Sequence, residues 1–128
     1  LKKTFILLLC CALLTIAISA CTTLARGNAP TGPNAVHMDN LTFKQAAITI
    51  KKGEVVTLVN DAAVVHVIAN GTWNGNTPHP GIEQGAPQIN NIQINGNDAA
   101  KIGPFNTAGT FQLYCTVHLG MKMTVIVQ

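Results

Sequence analysis

Toward the end of the sequence, Cys115, His118 and Met121 stand in the order Cys-x2-His-x2-Met, with a further methionine at Met123. A thiolate, an imidazole and a thioether form a soft donor set suited to copper, and two His with one Cys in a trigonal plane and a weak axial Met make a blue-copper site. Zinc would ask for four firm nitrogen or sulfur donors, and no second cysteine lies in this part of the chain. Alternation puts Phe111, Leu113 and Cys115 on one strand face, so Cys115 enters its loop from inside the fold if that face is the core. The second histidine must come from elsewhere. His66, within the apolar run Val64-Val65-His66-Val67-Ile68, is the best candidate. Alone it would read as a core histidine held by hydrogen bonds; beside Cys115 and His118 it reads as a ligand. His37 and His79, the latter in Thr77-Pro78-His79-Pro80, read as surface residues.

The cysteine count supports this. Residues 1–20, LKKTFILLLCCALLTIAISA, have two lysines, an apolar run and small residues at the end, the pattern of an N-terminal signal helix. A membrane-spanning helix needs about 20 apolar residues, and the run from Phe5 to Ile18 falls short. Ile18-Ser19-Ala20-Cys21 resembles a bacterial lipobox, which implies a multiply acylated Cys21 and a lipid anchor to the membrane. Cys10 and Cys11 then leave with the leader. Cys115 remains as a lone thiol in an exported protein, where thiols normally pair. It must be a reactive thiol, an intermolecular partner or a metal ligand.

The chain has 128 residues and a formal charge of +3; without Lys2 and Lys3, six basic residues face five acidic ones. That near-neutrality gives no basis for nucleic-acid binding. No GxxxxGK[ST] or HExxH motif is present. The expected organisation is a lipoprotein signal peptide over 1–20, a flexible Gly/Pro/Asn-rich spacer over 21–36 and one domain over 37–128. Strand signals fall at Ala47–Lys51, Val55–Val59, Val64–Ala69, Gln88–Ile94, Ala99–Phe105, Thr110–Cys115 and Met123–Val127, with Pro104 marking an edge or a bend. Asn70-Gly71 reads as a stop, and 71–87 as a long turn-rich loop. The expected fold is all-β, a Greek-key β-sandwich of about seven to eight strands.

At this point the domain resembles the cupredoxins, the type 1 blue copper proteins of the amicyanin, plastocyanin and pseudoazurin group, over most of 41–128. The resemblance is carried by N-D-x-x-x-x-H from Asn60 to His66, by G-T-[FY]-x-x-x-C-x-x-H-x-x-M from Gly109 to Met121, and by the alternating closing strand. It implies one copper ion cycling between Cu(I) and Cu(II), reversible electron transfer and no catalytic turnover. The implied ligands are His66, Cys115, His118 and axial Met121, with Met123 the alternative. Family members commonly read Met-x-Gly-x-Val-x-Val after the ligand loop, and Met121 to Val127 fits that register without a gap.

Three positions depart from the pattern. Val67 stands where Asn is common, Val117 where Pro is common, and Met123 where a Gly is usual. Val117 keeps an N–H that Pro lacks, and this N–H is expected to reach the Cys115 sulfur. A monomer is expected, and the resemblance implies redox partners docking near His118 on an apolar face around Leu119, Gly120 and Met121. The protein is expected to be secreted and lipid-anchored, facing the extracytoplasmic space. Competing readings are a copper carrier or buffer using the same ligands, and a metal-free binding module on the same scaffold.

Overall fold

The computed structural model describes residues 32–128. The leader, Cys21 and most of the expected spacer lie outside the described residues. Nine strands form among the described residues: β1 (Ala35–Met38), β2 (Ala47–Ile50), β3 (Glu54–Asn60), β4 (His66–Asn74), β5 (Thr77–Pro80), β6 (Ile92–Ile94), β7 (Ala99–Phe105), β8 (Gly109–Cys115) and β9 (Lys122–Val127). They make two layers, as a β-sandwich requires. One sheet has the order β1-β3-β7; the other has β2-β9-β8-β4-β5, with β6 also paired to β4. β1 runs parallel to β3 and β2 parallel to β9, while the remaining pairs are antiparallel.

The alternation in the sequence explains the layers. On β8, Phe111, Leu113 and Cys115 point into the core; on β9, Met123, Val125 and Val127 do. They meet Val36, Leu58, Ile102 and Phe105 of the other sheet. Full burial of one such side chain is worth roughly 1.5–3 kcal/mol. Tyr114 faces the other way and packs with Ala69 and Trp73 in a second, smaller cluster.

Strand positions agree with expectation for most of the chain, and three regions differ. Of the strand expected over Gln88–Ile94 only Ile92–Ile94 forms, as β6, because Asn91 turns the backbone to φ 50° and Ile89 is tied to Asn70 instead. β1 was not expected; Ala35 and Val36, assigned to the spacer, already belong to it, because Val36 and Met38 find the core while the strand aligns with β3. β4 does not stop at Asn70-Gly71. It runs to Asn74 and turns back as β5, so the first part of the expected 71–87 loop is a hairpin. Asn70 is accommodated because its side chain ties down the incoming chain: Nδ2 donates to Pro87 O at 3.2 Å, and Oδ1 accepts from Ile89 N at 2.6 Å. Gly71 adopts φ 130°, and a Cβ there would run into the His79 carbonyl and the Tyr114 ring. Pro104 does lie on an edge strand: β7 pairs only with β3 in its sheet, with a register shift beside Gly103-Pro104.

Four connections gather at one pole: β1–β2, β3–β4, β6–β7 and β8–β9. Cross-links between them include Asp61 N to Met38 O, Asn97 N to Ala62 O and Thr116 N to Val67 O.

Candidate metal centre

His66 is the first residue of β4, and its position is set by the loop before it. Asn60 is buried and its amide knits that loop together, donating to Val64 O at 2.7 Å and Asn95 O at 3.0 Å and accepting from Ala62 N at 3.1 Å. The imidazole itself is fully buried. Its Nε2 lies 2.9 Å from the Asp39 carbonyl. A carbonyl only accepts, so Nε2 carries the proton and Nδ1 keeps its lone pair. Burial holds the His66 pKa below its ordinary value, against an opposing pull from the Asp39 carbonyl. The ring therefore stays neutral and able to donate to a metal.

Asp39 is held in turn by its own loop. Its carboxylate accepts from Leu41 N, Thr42 N and the Thr42 hydroxyl, which keep it below the usual carboxylate range. The Asp39 carbonyl is thus fixed before it meets His66.

Cys115 ends β8, and its sulfur is buried. His118 follows on the loop, half-buried between exposed Val117 and Leu119. The three donor atoms converge: His66 Nδ1 to His118 Nδ1 is 3.1 Å, Cys115 Sγ to His118 Nδ1 is 3.4 Å, and Cys115 Sγ to His66 Nδ1 is 3.7 Å. A point equidistant from all three lies about 2.0 Å from each, against bonds of about 2.0 Å to imidazole and about 2.3 Å to thiolate for a first-row metal. Three donor atoms this close can each turn a lone pair on one cation between them. The residues therefore fit a copper ion. They also form the one cluster of three or more His, Cys, Asp or Glu donors with metal-holding geometry among the described residues, and neither His37 nor His79 belongs to it.

The methionines separate by register. β8 pairs with β9 with Leu113 opposite Met123 and Tyr114 opposite Lys122. Continued one rung, Cys115 faces Met121, and Cys115 N indeed donates to Met121 O at 2.9 Å. Directly opposed residues have Cβ atoms about 4.5–5.5 Å apart, and diagonal ones about 7–8 Å. Met121 is the immediate neighbour of the sulfur, and Met123 lies one rung deeper in the core. Both are buried.

Contacts around the sulfur correct one expectation and add two residues. The backbone amide that reaches Cys115 Sγ is that of Val67, at 3.5 Å, and not that of Val117. The reason is pairing: β4 aligns Ile68 with Cys115, which brings the preceding peptide onto the sulfur, whereas Val117 has turned out to solvent. The two ligand loops are linked through the Val67 carbonyl, with no side chain needed at that position. Thr116 N donates to Val67 O at 2.8 Å, and the Thr116 hydroxyl to the same oxygen at 3.4 Å.

Trp73 was legible only as the lone tryptophan of a presumed loop. In the folded chain its indole Nε1 donates to the Cys115 carbonyl at 3.0 Å, its ring meets Tyr114 edge to face, and its own carbonyl accepts from Lys122 Nζ at 2.8 Å. Met121 is also absent from the expected apolar face, being buried; Leu41, Val65, Val117 and Leu119 are the exposed apolar side chains on these loops.

Comparison with known proteins agrees with this geometry. Residues 31–128 match the family described as copper binding proteins, plastocyanin/azurin family. The chain is 29% identical to amicyanin-alpha of Methylorubrum extorquens over 118 residues, covering 88% of this chain and 91% of that one. It is 33% identical to plastocyanin of Scenedesmus fuscus over 90 residues, 69% of this chain and 88% of that one. Among solved structures, amicyanin of Paracoccus versutus superposes with a TM-score of 0.60 at 26% identity, over 79% of this chain and 86% of that one. A purple cupredoxin of Nitrosopumilus maritimus shares the fold at TM-score 0.58 and 22% identity, over 73% of this chain and 98% of that one.

Proposed function

Because this chain belongs to the plastocyanin/azurin family of copper-binding proteins, we propose that it is a one-electron carrier and not an enzyme, with one copper that His66, Cys115, His118 and Met121 would hold. The observation that carries this reading is the convergence of His66 Nδ1, Cys115 Sγ and His118 Nδ1 within a buried, hydrogen-bonded frame. Copper supplies the couple between its +1 and +2 states. The chain supplies the rest. Cys115 binds as the thiolate, and the Val67 amide donates to its sulfur. The Asp39 carbonyl fixes the His66 tautomer. The sandwich and the backbone bonds between the ligand loops hold the donors in place, so that little needs to rearrange when the charge changes. His118 is the ligand nearest solvent, and exposed Val117, Leu119, Leu41 and Val65 offer apolar contact around it. A small apolar contact of this kind suits brief redox encounters.

The same preorganisation favours a carrier of electrons over a carrier of copper, which would release its metal readily. In the proposed setting the protein is a monomer exported by its leader and anchored through lipid on Cys21, so that the domain faces the extracytoplasmic space. This rests on the lipobox-like Ile18-Ser19-Ala20-Cys21. Loss of membrane association in Cys21→Ser would support it, and unchanged partitioning would refute it. The copper reading is tested by adding copper(II) to the purified protein. An intense thiolate-to-copper band in the visible, absent in Cys115→Ser, together with slow copper loss and a reversible couple, is the expected result. A colourless protein would overturn the electron-carrier reading.

A further inference from the structure

Two carbonyls beside the ligands are left over by the strand ladders. Cys115 N donates to Met121 O, but Met121 N turns to His118 O and closes the ligand loop. The Cys115 carbonyl therefore does not receive the ladder bond that would return to it. The Trp73 indole answers it instead, at 3.0 Å. Trp73 in turn stands opposite Pro78 in the β4–β5 hairpin, and proline has no N–H to offer its carbonyl. That oxygen accepts from Lys122 Nζ at 2.8 Å. A carbonyl withdrawn from water and left without a donor costs free energy, so each contact holds its donor in place.

The consequence for Lys122 is a fixed charge. A surface lysine ordinarily carries its ammonium in water on a flexible four-carbon stem. Lys122 is an exposed residue, yet its ammonium is bound to the fold. Its place is set beside two ligands. It follows Met121 in the chain, and across the ladder it faces Tyr114, the residue before Cys115. Neither ion pair among the described residues includes it, so its partner is a neutral dipole and its charge stays uncancelled. The other lysines do not share this placement. Lys44 pairs with Asp61, Lys51 and Lys52 lie in the β2–β3 turn at the opposite pole, and Lys101 sits on β7 in the other sheet.

We infer that Lys122 sets the redox balance of the site: its ammonium, clamped by the Trp73 carbonyl, is a built-in cation that favours the reduced state. One electron from the redox partner converts Cu(II) to Cu(I), and no bond to Lys122 or Trp73 forms or breaks. With one thiolate among the donors, the centre carries a net positive charge when oxidised and none when reduced. A fixed positive charge nearby therefore opposes oxidation. A unit charge on the order of 10 Å from a redox centre, at the effective dielectric constant of about 20 near a protein surface, changes a one-electron equilibrium by about threefold or more once solvent screening is allowed for. The inference rests on the ligand assignment above, which puts the copper between Cys115 and Met121.

The test is a spectroelectrochemical titration of the thiolate-to-copper band in the copper-loaded protein. In Lys122→Gln and Lys122→Leu the midpoint should fall, by about threefold in the reduction equilibrium, which is about 28 mV for one electron. Lys122→Arg keeps the charge and should stay close to the parent. Lys51→Gln, at the opposite pole, should not move the midpoint. Raising the ionic strength from about 10 mM to about 500 mM should leave most of the Lys122→Gln difference in place, because an ammonium bound to the fold is screened less than one free in water. An unchanged or raised midpoint in the neutral variants overturns the inference, as does an equal fall in Lys122→Arg or Lys51→Gln, or a difference that vanishes with salt. If both neutral variants lose the band while the parent keeps it, Lys122 holds the structure of the site and not its potential, and the inference fails alone. A parent protein without the band fails at the earlier step and takes this inference with it.

Discussion

His66 and His118 offer a metal the same atom from opposite circumstances. His66 begins a strand, is fully buried, and has its second ring nitrogen committed to the Asp39 carbonyl. His118 sits on a short loop, half-buried between exposed neighbours. The first belongs to the frame and cannot move without disturbing the core. The second closes the site from the solvent side, where an electron must pass. One kind of ligand thus serves as anchor or doorway according to what surrounds it.

The sharpest way to break this comparison is to remove each imidazole in turn. His66→Gly should cost about 2–5 kcal/mol, the range for large-to-small changes in a core, read by denaturant unfolding, and added imidazole should not restore the coloured site. His118→Gly should cost far less, and free imidazole should restore the band on titration. Equal rescue of the two would sink the distinction. A smaller effect is expected at Trp73. Phenylalanine keeps the packing on Tyr114 but leaves the buried Cys115 carbonyl without its donor, at about 1–3 kcal/mol. The thiolate band should shift with it, since Cys115 is the residue released; an unshifted spectrum would reduce Trp73 to filler.

The methionines extend the contrast to the axis. Met121→Leu and Met123→Leu should each cost less than about 1.5 kcal/mol, as volume-conserving swaps do. The reduction potential should change in Met121→Leu alone, and a change confined to Met123→Leu would exchange their roles.

The smallest effect lies at the rim. The Lys44 ammonium, and after it His37, hold the Asp61 carboxyl below the usual carboxylate range. A lowered folded-state pKa contributes stability that is present above the unfolded value of about 3.9 and is lost as pH falls through the folded value. Asp61→Asn should therefore be slightly less stable at neutral pH, by well under about 1 kcal/mol for so exposed a pair, with the gap closing in acid. A gap that widens in acid would contradict the pairing.

Much of the site was legible beforehand because ligand chemistry is written in residue types. Cys115, His118 and the methionines fall within nine residues, and their spacing on a strand-loop-strand already implies a shared focus. His66 was legible as an incongruity, an imidazole inside an apolar run. Strand alternation exposed the sheets where hydrophobic residues repeat, as on β3 and β8. It was silent at β1, four residues long, and misleading at Asn70-Gly71, where turn-forming residues continue a strand. Both exceptions depend on distant partners: β3 recruits β1, and the Pro87 and Ile89 backbone satisfies Asn70.

By itself, then, the sequence determined the donor set, the choice of copper over zinc and the all-β class, because side-chain chemistry and periodicity are local properties. Only the tertiary structure decided which backbone groups serve the ligands. The Asp39 carbonyl reaches His66 from 27 residues away, the Val67 amide reaches Cys115 across 48, and the Trp73 indole reaches it across 42. A peptide N–H or carbonyl is the same at every position of a chain, so its selection for a role depends on strand register, which only the folded arrangement supplies. Register also set Met121 beside the sulfur and Met123 below it, a difference that two identical side chains cannot announce.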